Sequence, residues 1–172
     1  MSKNQIFQSF LKKGFKKNTS GRSLSFFYKK KNNFEPVVFD KKKILFIKKI
    51  FNSKKWIKAF GANFNFRICL HKSINDKYQE MVIVQRKNAK ILPHKHKNSG
   101  ETLNLMHGRL KAILYDKKGK IKNIHILDSK QPKIFRLPDN TFHSYEILSS
   151  YVIYLETKAG PFIPKSNFIL MK

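Results

Sequence analysis

The stretch ILPHKHKNSGETLNLMHG, residues 91–108, holds two imidazoles and a carboxylate close together. His94 and His96 are two positions apart, so on a strand both side chains leave the same face. Pro93 suits a strand edge. Asn98-Ser99-Gly100 can turn the chain, so that Glu101 opens the next strand with Leu103 and Leu105 on its face. Two imidazoles and a carboxylate from neighbouring strands can converge on one point about 2 Å from each donor, which is metal-ligand geometry. A fourth donor has to come from farther along, and His143 in RLPDNTFHSYE is the best candidate. Taken singly, neither His-x-His nor His143 separates a metal site from a basic loop that happens to contain histidines.

The surrounding pattern supplies strands to carry these residues. From residue 64 onward FNFRICLH alternates with period two, as do stretches within EMVIVQR, ETLNLMHGRLKAILYD, IKNIHIL and SSYVIYLET. Turn residues separate them at Asn75-Asp76, Asn98-Ser99-Gly100, Asp116-Lys117-Lys118-Gly119 and Pro138-Asp139-Asn140. Short strands joined by tight turns predict an antiparallel sandwich or barrel. Upstream, Asp40 is a good N-cap for KKKILFIKKIF, where Ile44, Ile47, Ile50 and Phe51 recur at helical spacing. Asn52-Ser53 ends this short amphipathic helix, and KKWIKAF could add another turn or two. Residues 1–37 are rich in Lys, Asn and Ser without a clear period. They read as a basic, loosely ordered extension, with isolated docking by Phe7, Phe10, Phe26 and Phe27, ahead of a domain at 38–172.

Composition narrows the functions. The 172 residues suit one domain, and 41% apolar residues suffice for a core. A single cysteine, Cys69, excludes an internal disulfide and a cysteine-rich zinc site. Cys69 reads as a small buried apolar residue. No apolar run reaches the roughly 18 residues of a membrane span, and the N-terminus has no signal-peptide core, so the cytoplasm is the expected compartment. The net charge of +27 comes from 32 Lys but only 5 Arg. Readers of nucleic acid lean on arginine for bidentate contacts. The charge is also spread along the chain, and Lys, Asn, Ile and Phe are abundant together, as an AT-rich genome would produce. No specific nucleic-acid partner is expected, only salt-sensitive adhesion to polyanions.

Together, His94-x-His96-x4-Glu101-x6-Gly108 and Pro138-x-Asn140-x2-His143 resemble the two signature motifs of the cupin superfamily. Asn88 stands at the leading glycine of the first motif and Asn140 at the glycine after the proline. Asparagine tolerates the left-handed backbone region, so both turns can survive. Pro132 and Ile147 replace the first and last positions of the second motif, neither of which ligates metal in the family. The helix near 40–51, R-x-C-L-H at 67–71, Asp76, Gln79, the Asp-x-x-Gly hairpin at 116–119 and YLETKAGPF at 154–162 look like the WbuC-type cupin fold metalloproteins. That family often accompanies genes for O-antigen and other surface polysaccharides, and the resemblance covers roughly residues 38–165.

This resemblance implies a mostly β protein: a small antiparallel jelly-roll barrel preceded by a short α-helix. It implies one divalent metal, Fe, Mn, Ni, Co or Zn, held by His94, His96, Glu101 and His143. Such a metal could polarise a sugar carbonyl or stabilise an enediolate, or bind dioxygen if it is iron. The substrate class implied is a sugar or nucleotide-sugar of lipopolysaccharide synthesis, with isomerisation or epimerisation as the first guess. The alternative is a non-enzymatic sugar-binding or sensor module. Many cupins dimerise through their sheets, and the abundant phenylalanine permits a homodimer. Arg67, Cys69 and His71 share one strand face, and Tyr154, Glu156 and Lys158 share another. These residues either close the barrel or form surface ion pairs, or they line the pocket with Gln79. In the second case Arg67, Gln79, Tyr154 and Lys158 would bind substrate, Lys158 or Arg67 holding a phosphate or carboxylate, and His71 and Glu156 would act as acid or base. His107 and His125 read as ordinary strand residues.

Overall fold

A computed structural model describes residues 8, 15–18, 24–28, 40–51, 53–54, 65–89, 91–131, 134–163 and 169–171. The expected helix is α1, Lys41–Phe51. The strands are β1 (Phe15–Asn18), β2 (Leu24–Tyr28), β3 (Phe66–Cys69), β4 (Tyr78–Arg86), β5 (His94–Lys95), β6 (Glu101–His107), β7 (Arg109–Tyr115), β8 (Ile121–Asp128), β9 (Ile134–Leu137), β10 (Phe142–Ile147), β11 (Tyr151–Ala159) and β12 (Ile169–Leu170). They form two sheets, one ordered β1-β2-β3-β4-β11-β6-β9 and the other β12-β5-β10-β7-β8. All neighbours are antiparallel except β2 and β3. The expected mostly β, jelly-roll-like sandwich with one short helix before it is thus observed.

The core between the sheets follows from the two-residue period. Cys69, Met81, Ile83, Leu103, Leu105, Val152 and Tyr154 from the first sheet meet Leu110, Ala112, Leu127, Tyr145 and Ile147 from the second. The intervening residues Phe66, Ile68, Val82, Val84, Tyr151 and Ile153 point the other way, where α1 covers them with Ile47 and Phe51. Strands β4 and β11 are therefore buried on both faces over part of their length, where Val82, Ile83 and Val84, and Tyr151, Val152, Ile153 and Tyr154, are buried in succession. Phe51 is fully buried, with ring centres 5.7 Å from Phe66 and 5.5 Å from Tyr151, and Arg86 lies 4.1 Å over its ring. Asp40 caps α1 as expected: its Oδ1 accepts the Lys43 N–H at 2.9 Å.

Within the stretch expected to be a loosely ordered extension, residues 15–18 and 24–28 form strands. They pair with each other, and β2 joins β3 in parallel register, Leu24 opposite Phe66. LSFFY carries the aromatic residues that favour strands, yet five residues are too few to show a period. The proposed docking by Phe7 and Phe10, the extra turn in KKWIKAF and the motif position Pro132 lie outside the described residues, and only the backbone is described at Phe26 and Phe27.

Two turns fix the ligand-bearing strands. Asn140 has φ 56° and its N–H donates to the His96 carbonyl at 2.9 Å, tying the second motif to the first. Gly108 has φ 86°, and a Cβ there would lie 2.5 Å from the Tyr151 carbonyl oxygen. Asn88, by contrast, is not among the positive-φ residues. Replacing Asn140 with Gly is expected to leave stability unchanged or slightly raised. Asn140→Val should cost about 1–2 kcal/mol, because a β-branched residue resists the left-handed region. Urea midpoints of the two variants would check this; equal midpoints would contradict it.

Candidate metal centre

Pairing across the second sheet brings the histidines together. His94 on β5 stands directly opposite His143 on β10, with ring centres 4.3 Å apart. His96 lies just beyond β5, 5.0 Å from the His94 ring and 5.6 Å from the His143 ring. One nitrogen from each ring falls in a group whose members all lie within 4.8 Å of one another, and all three residues are buried. His94 Nδ1 is 2.8 Å from the Leu92 carbonyl and His143 Nδ1 2.9 Å from the Thr141 carbonyl. A carbonyl only accepts, so Nδ1 carries the proton and Nε2 is left as a lone-pair donor. This is how outer partners fix a metal-ligating imidazole.

The carboxylate arrives from the other sheet. Glu101, 2% exposed, begins β6; its Oε1 is 2.7 Å from His96 Nε2 and its Oε2 3.4 Å from His143 Nε2. Ligands on one metal stand about 3 Å apart when each bond is about 2.1 Å. The His96–Glu101 pair already has that spacing. His143 Nε2 is fully buried without a hydrogen-bond partner, an arrangement that natural interiors avoid unless something else satisfies the atom. Borderline imidazole donors beside a hard carboxylate suit a divalent transition ion. The three-histidine cluster could therefore hold a metal ion, with Glu101 beside it.

Charge inside the sandwich is organised around Glu101. Register lines up Gln79, Lys158, Glu101 and Leu137 in one row across the first sheet. The next row is Cys69, Met81, Glu156 and Leu103, and the next Arg67, Ile83, Tyr154 and Leu105. Lys158 Nζ lies 3.6 Å from Glu101 Oε1 and 3.3 Å from Glu156 Oε1. Burial alone would raise the Glu101 pKa, but the contacts with His143 and His96 and the Lys158 charge hold it well below the usual carboxylate range. Burial works against the Lys158 charge, and Glu156 and Glu101 overcome it to raise that pKa. Burial, with the neighbouring His143, pushes His94 down to about 4, so its ring is neutral and able to ligate at pH 7.

This last shift predicts acid sensitivity of the metal-free protein. The folded value lies below the ordinary 6.5, so the unfolded chain takes up the proton first. The His94 contribution is present above pH 6.5 and is lost as pH falls toward 4, by at most about 3 kcal/mol. Urea midpoints in chelator between pH 7 and 4.5 should fall less steeply for His94→Gln than for the native chain. Parallel slopes would remove His94 as the cause.

The remaining candidates divide. Glu156 and Lys158 point inward, toward Glu101, rather than forming a surface pair. Tyr154 is buried, its hydroxyl donating to Gln85 Oε1 at 2.9 Å. The Gln79 amide donates to the carbonyls of Ser73, Ile74 and Asp76, which holds the loop before β4. His71 Nδ1 sits 3.1 Å from the Glu80 N–H nitrogen and 3.0 Å from its carbonyl, beside a surface groove of about 400 Å³. His107 packs tilted against Tyr151 with ring centres 4.7 Å apart, and His125 against Phe135 at 5.4 Å, in strands β6 and β8 as expected. Sequence reasoning missed Tyr145, whose hydroxyl donates to Glu101 Oε2 at 3.4 Å. Its position two residues after His143 was the available signal. It also missed Gln85, which no spacing singles out.

The fold is cupin-like. Residues 65–127 match the model of a domain of unknown function, DUF6016. No curated protein matches the sequence. Among solved structures the chain is similar to the capsular polysaccharide assembling protein CapF of Staphylococcus aureus. In one crystal form the TM-score is 0.54 at 12% identity, over 64% of this chain and 32% of CapF. In a second CapF structure it is 0.50 at 13% identity, over 57% and 27%. This chain thus corresponds to about a third of CapF. The Cnp3 cupin domain of Schizosaccharomyces pombe gives 0.45 at 14% identity, over 55% of this chain and 64% of that one.

Proposed function

We propose that the chain is a metal-dependent cupin acting on a sugar or nucleotide-sugar of surface polysaccharide synthesis. The observation that carries the metal part is the convergence of three buried imidazoles, two of them with Nδ1 pinned by carbonyls, beside the Glu101 carboxylate. His94, His96 and His143 would hold the ion with Glu101 as fourth ligand. A bound divalent ion supplies Lewis acidity toward a substrate carbonyl. The chain's own residues do the rest. The carbonyls of Leu92 and Thr141 orient two of the rings, Tyr145 hydrogen-bonds Glu101, and Lys158 sets positive charge one carboxylate oxygen away from the ligands. Glu156 is the candidate to move a proton. The polysaccharide setting rests on the WbuC-type resemblance in the sequence; the fold shared with CapF, a capsular polysaccharide assembling protein, is in keeping with it.

A second reading, a sugar-binding module without turnover, draws on the placement of the two acid–base candidates. Glu156 is engaged by Lys158, and His71 is pinned on the Glu80 backbone. Incubating metal-loaded protein with a panel of keto-sugar nucleotides separates the two. Product formation that is lost in Glu156→Gln supports the enzyme. Tight binding of a sugar with no product supports the module. Neither product nor binding overturns both.

A further inference from the structure

We infer that the metal-loaded site takes an anionic small molecule, one bearing a carboxylate or phosphate, with Lys158 as the side chain that recognises its charge. The inference rests on the metal-binding reading above and deepens it. Among the described residues, the charged side chains on the inner faces of the two sheets are Arg67, Glu101, Glu156 and Lys158, two of each sign. The imidazoles of His94, His96 and His143 lie beside them. The interior is thus balanced before any ion enters. A divalent cation then adds two positive charges with no carboxylate to offset them, where Glu101 and His143 are 2% and 0% exposed.

Buried uncompensated charge is costly, and a site in this condition favours a ligand that brings negative charge with it. A neutral sugar would leave the surplus in place; a carboxylate offsets half of it and a phosphate most or all. Lys158 is the cation placed to take part. Its Nζ contacts Glu101 Oε1, the oxygen that also contacts His96 Nε2, so one carboxylate atom separates ammonium from ligand ring. Arg67 stands on the same inner face, two rows farther along the sheet. It is a second cation for a longer anion such as a diphosphate, and its fork suits phosphate. A nucleotide-sugar satisfies this condition, as does a sugar acid.

The test uses cobalt(II)-loaded full-length protein, whose visible absorption reports a change of ligand at the metal without any turnover. Oxalate, inorganic phosphate and methyl glucoside are titrated in turn. The expected result is a spectral change with oxalate or phosphate and none with the neutral glycoside. The anion that binds more tightly tells carboxylate from phosphate recognition. Lys158→Met should keep its cobalt and bind the anion about tenfold or more weakly, with Lys158→Arg recovering part of the loss. If Lys158→Met does not fold, Arg67→Met is titrated with pyrophosphate, and weakened binding is again expected. Equal anion binding in a cobalt-loaded Lys158→Met, or no response to any anion, would overturn the inference while leaving the metal site standing. Failure of the native protein to take up cobalt would overturn the metal reading and this one with it.

Discussion

Purified without a histidine tag, the protein is expected to carry about one equivalent of a divalent transition metal, and the His94→Ala/His143→Ala variant none. The two residues face each other across β5 and β10, with ring centres 4.3 Å apart. Removing both takes away the pair of imidazoles whose orientation is fixed by main-chain carbonyls. Metal that binds the folded chain and not the unfolded one also stabilises it, by about 4 kcal/mol when free metal is a thousand times Kd. Elemental analysis and thermal melts with and without chelator would read both effects. The native melting temperature should fall on chelation, and that of the variant should not move. No metal in the native chain after reconstitution, with the two melts alike, would leave the histidines as an inert buried cluster.

The second large effect is expected at Glu101. Its carboxylate touches His96, His143, Lys158 and Tyr145. Glu101→Gln keeps the shape and removes the charge, leaving Lys158 buried with Glu156 alone. Breaking a buried pair from one side costs about 3–5 kcal/mol, chiefly because the partner charge stays behind. Metal affinity should fall with it, by roughly tenfold or more. The double variant Glu101→Gln/Lys158→Met should recover part of the stability and none of the metal affinity. That split distinguishes the ion pair from the ligand role. A Glu101→Gln protein as stable as the native one, with metal affinity intact, would show that the carboxylate is neither counter-ion nor ligand.

Much of the molecule was legible because period and turn chemistry are local. The alternation from residue 64, the turns at Asn98 and Asn140 and the Asp40 cap all appear where residue types place them, and Asn140 adopts the left-handed backbone its motif position requires. Spacing also brought His94, His96 and His143 into one cluster. What stayed hidden depends on partners distant in sequence. A two-residue period says that Tyr154, Glu156 and Lys158 share a face, but not which face is inside. That is decided by the Val152 and Tyr154 side chains packing in the core. Gln79 fitted a pocket role on resemblance, yet its amide is taken up by loop carbonyls that no pattern reveals. The parallel contact of β2 with β3 joins segments about forty residues apart, and nothing local encodes it.

The origin of the four candidate ligands has a mechanical consequence. The three histidines come from the sheet that contains β5 and β10, and Glu101 from the sheet that contains β6 and β11. An ion held by all four would rivet the two leaves of the sandwich at one mouth, as a crosslink does. Loss of the ion would then be felt as a loosening between the leaves at that mouth, while the other face of the first sheet, covered by Ile47 and Phe51 of α1, keeps its packing.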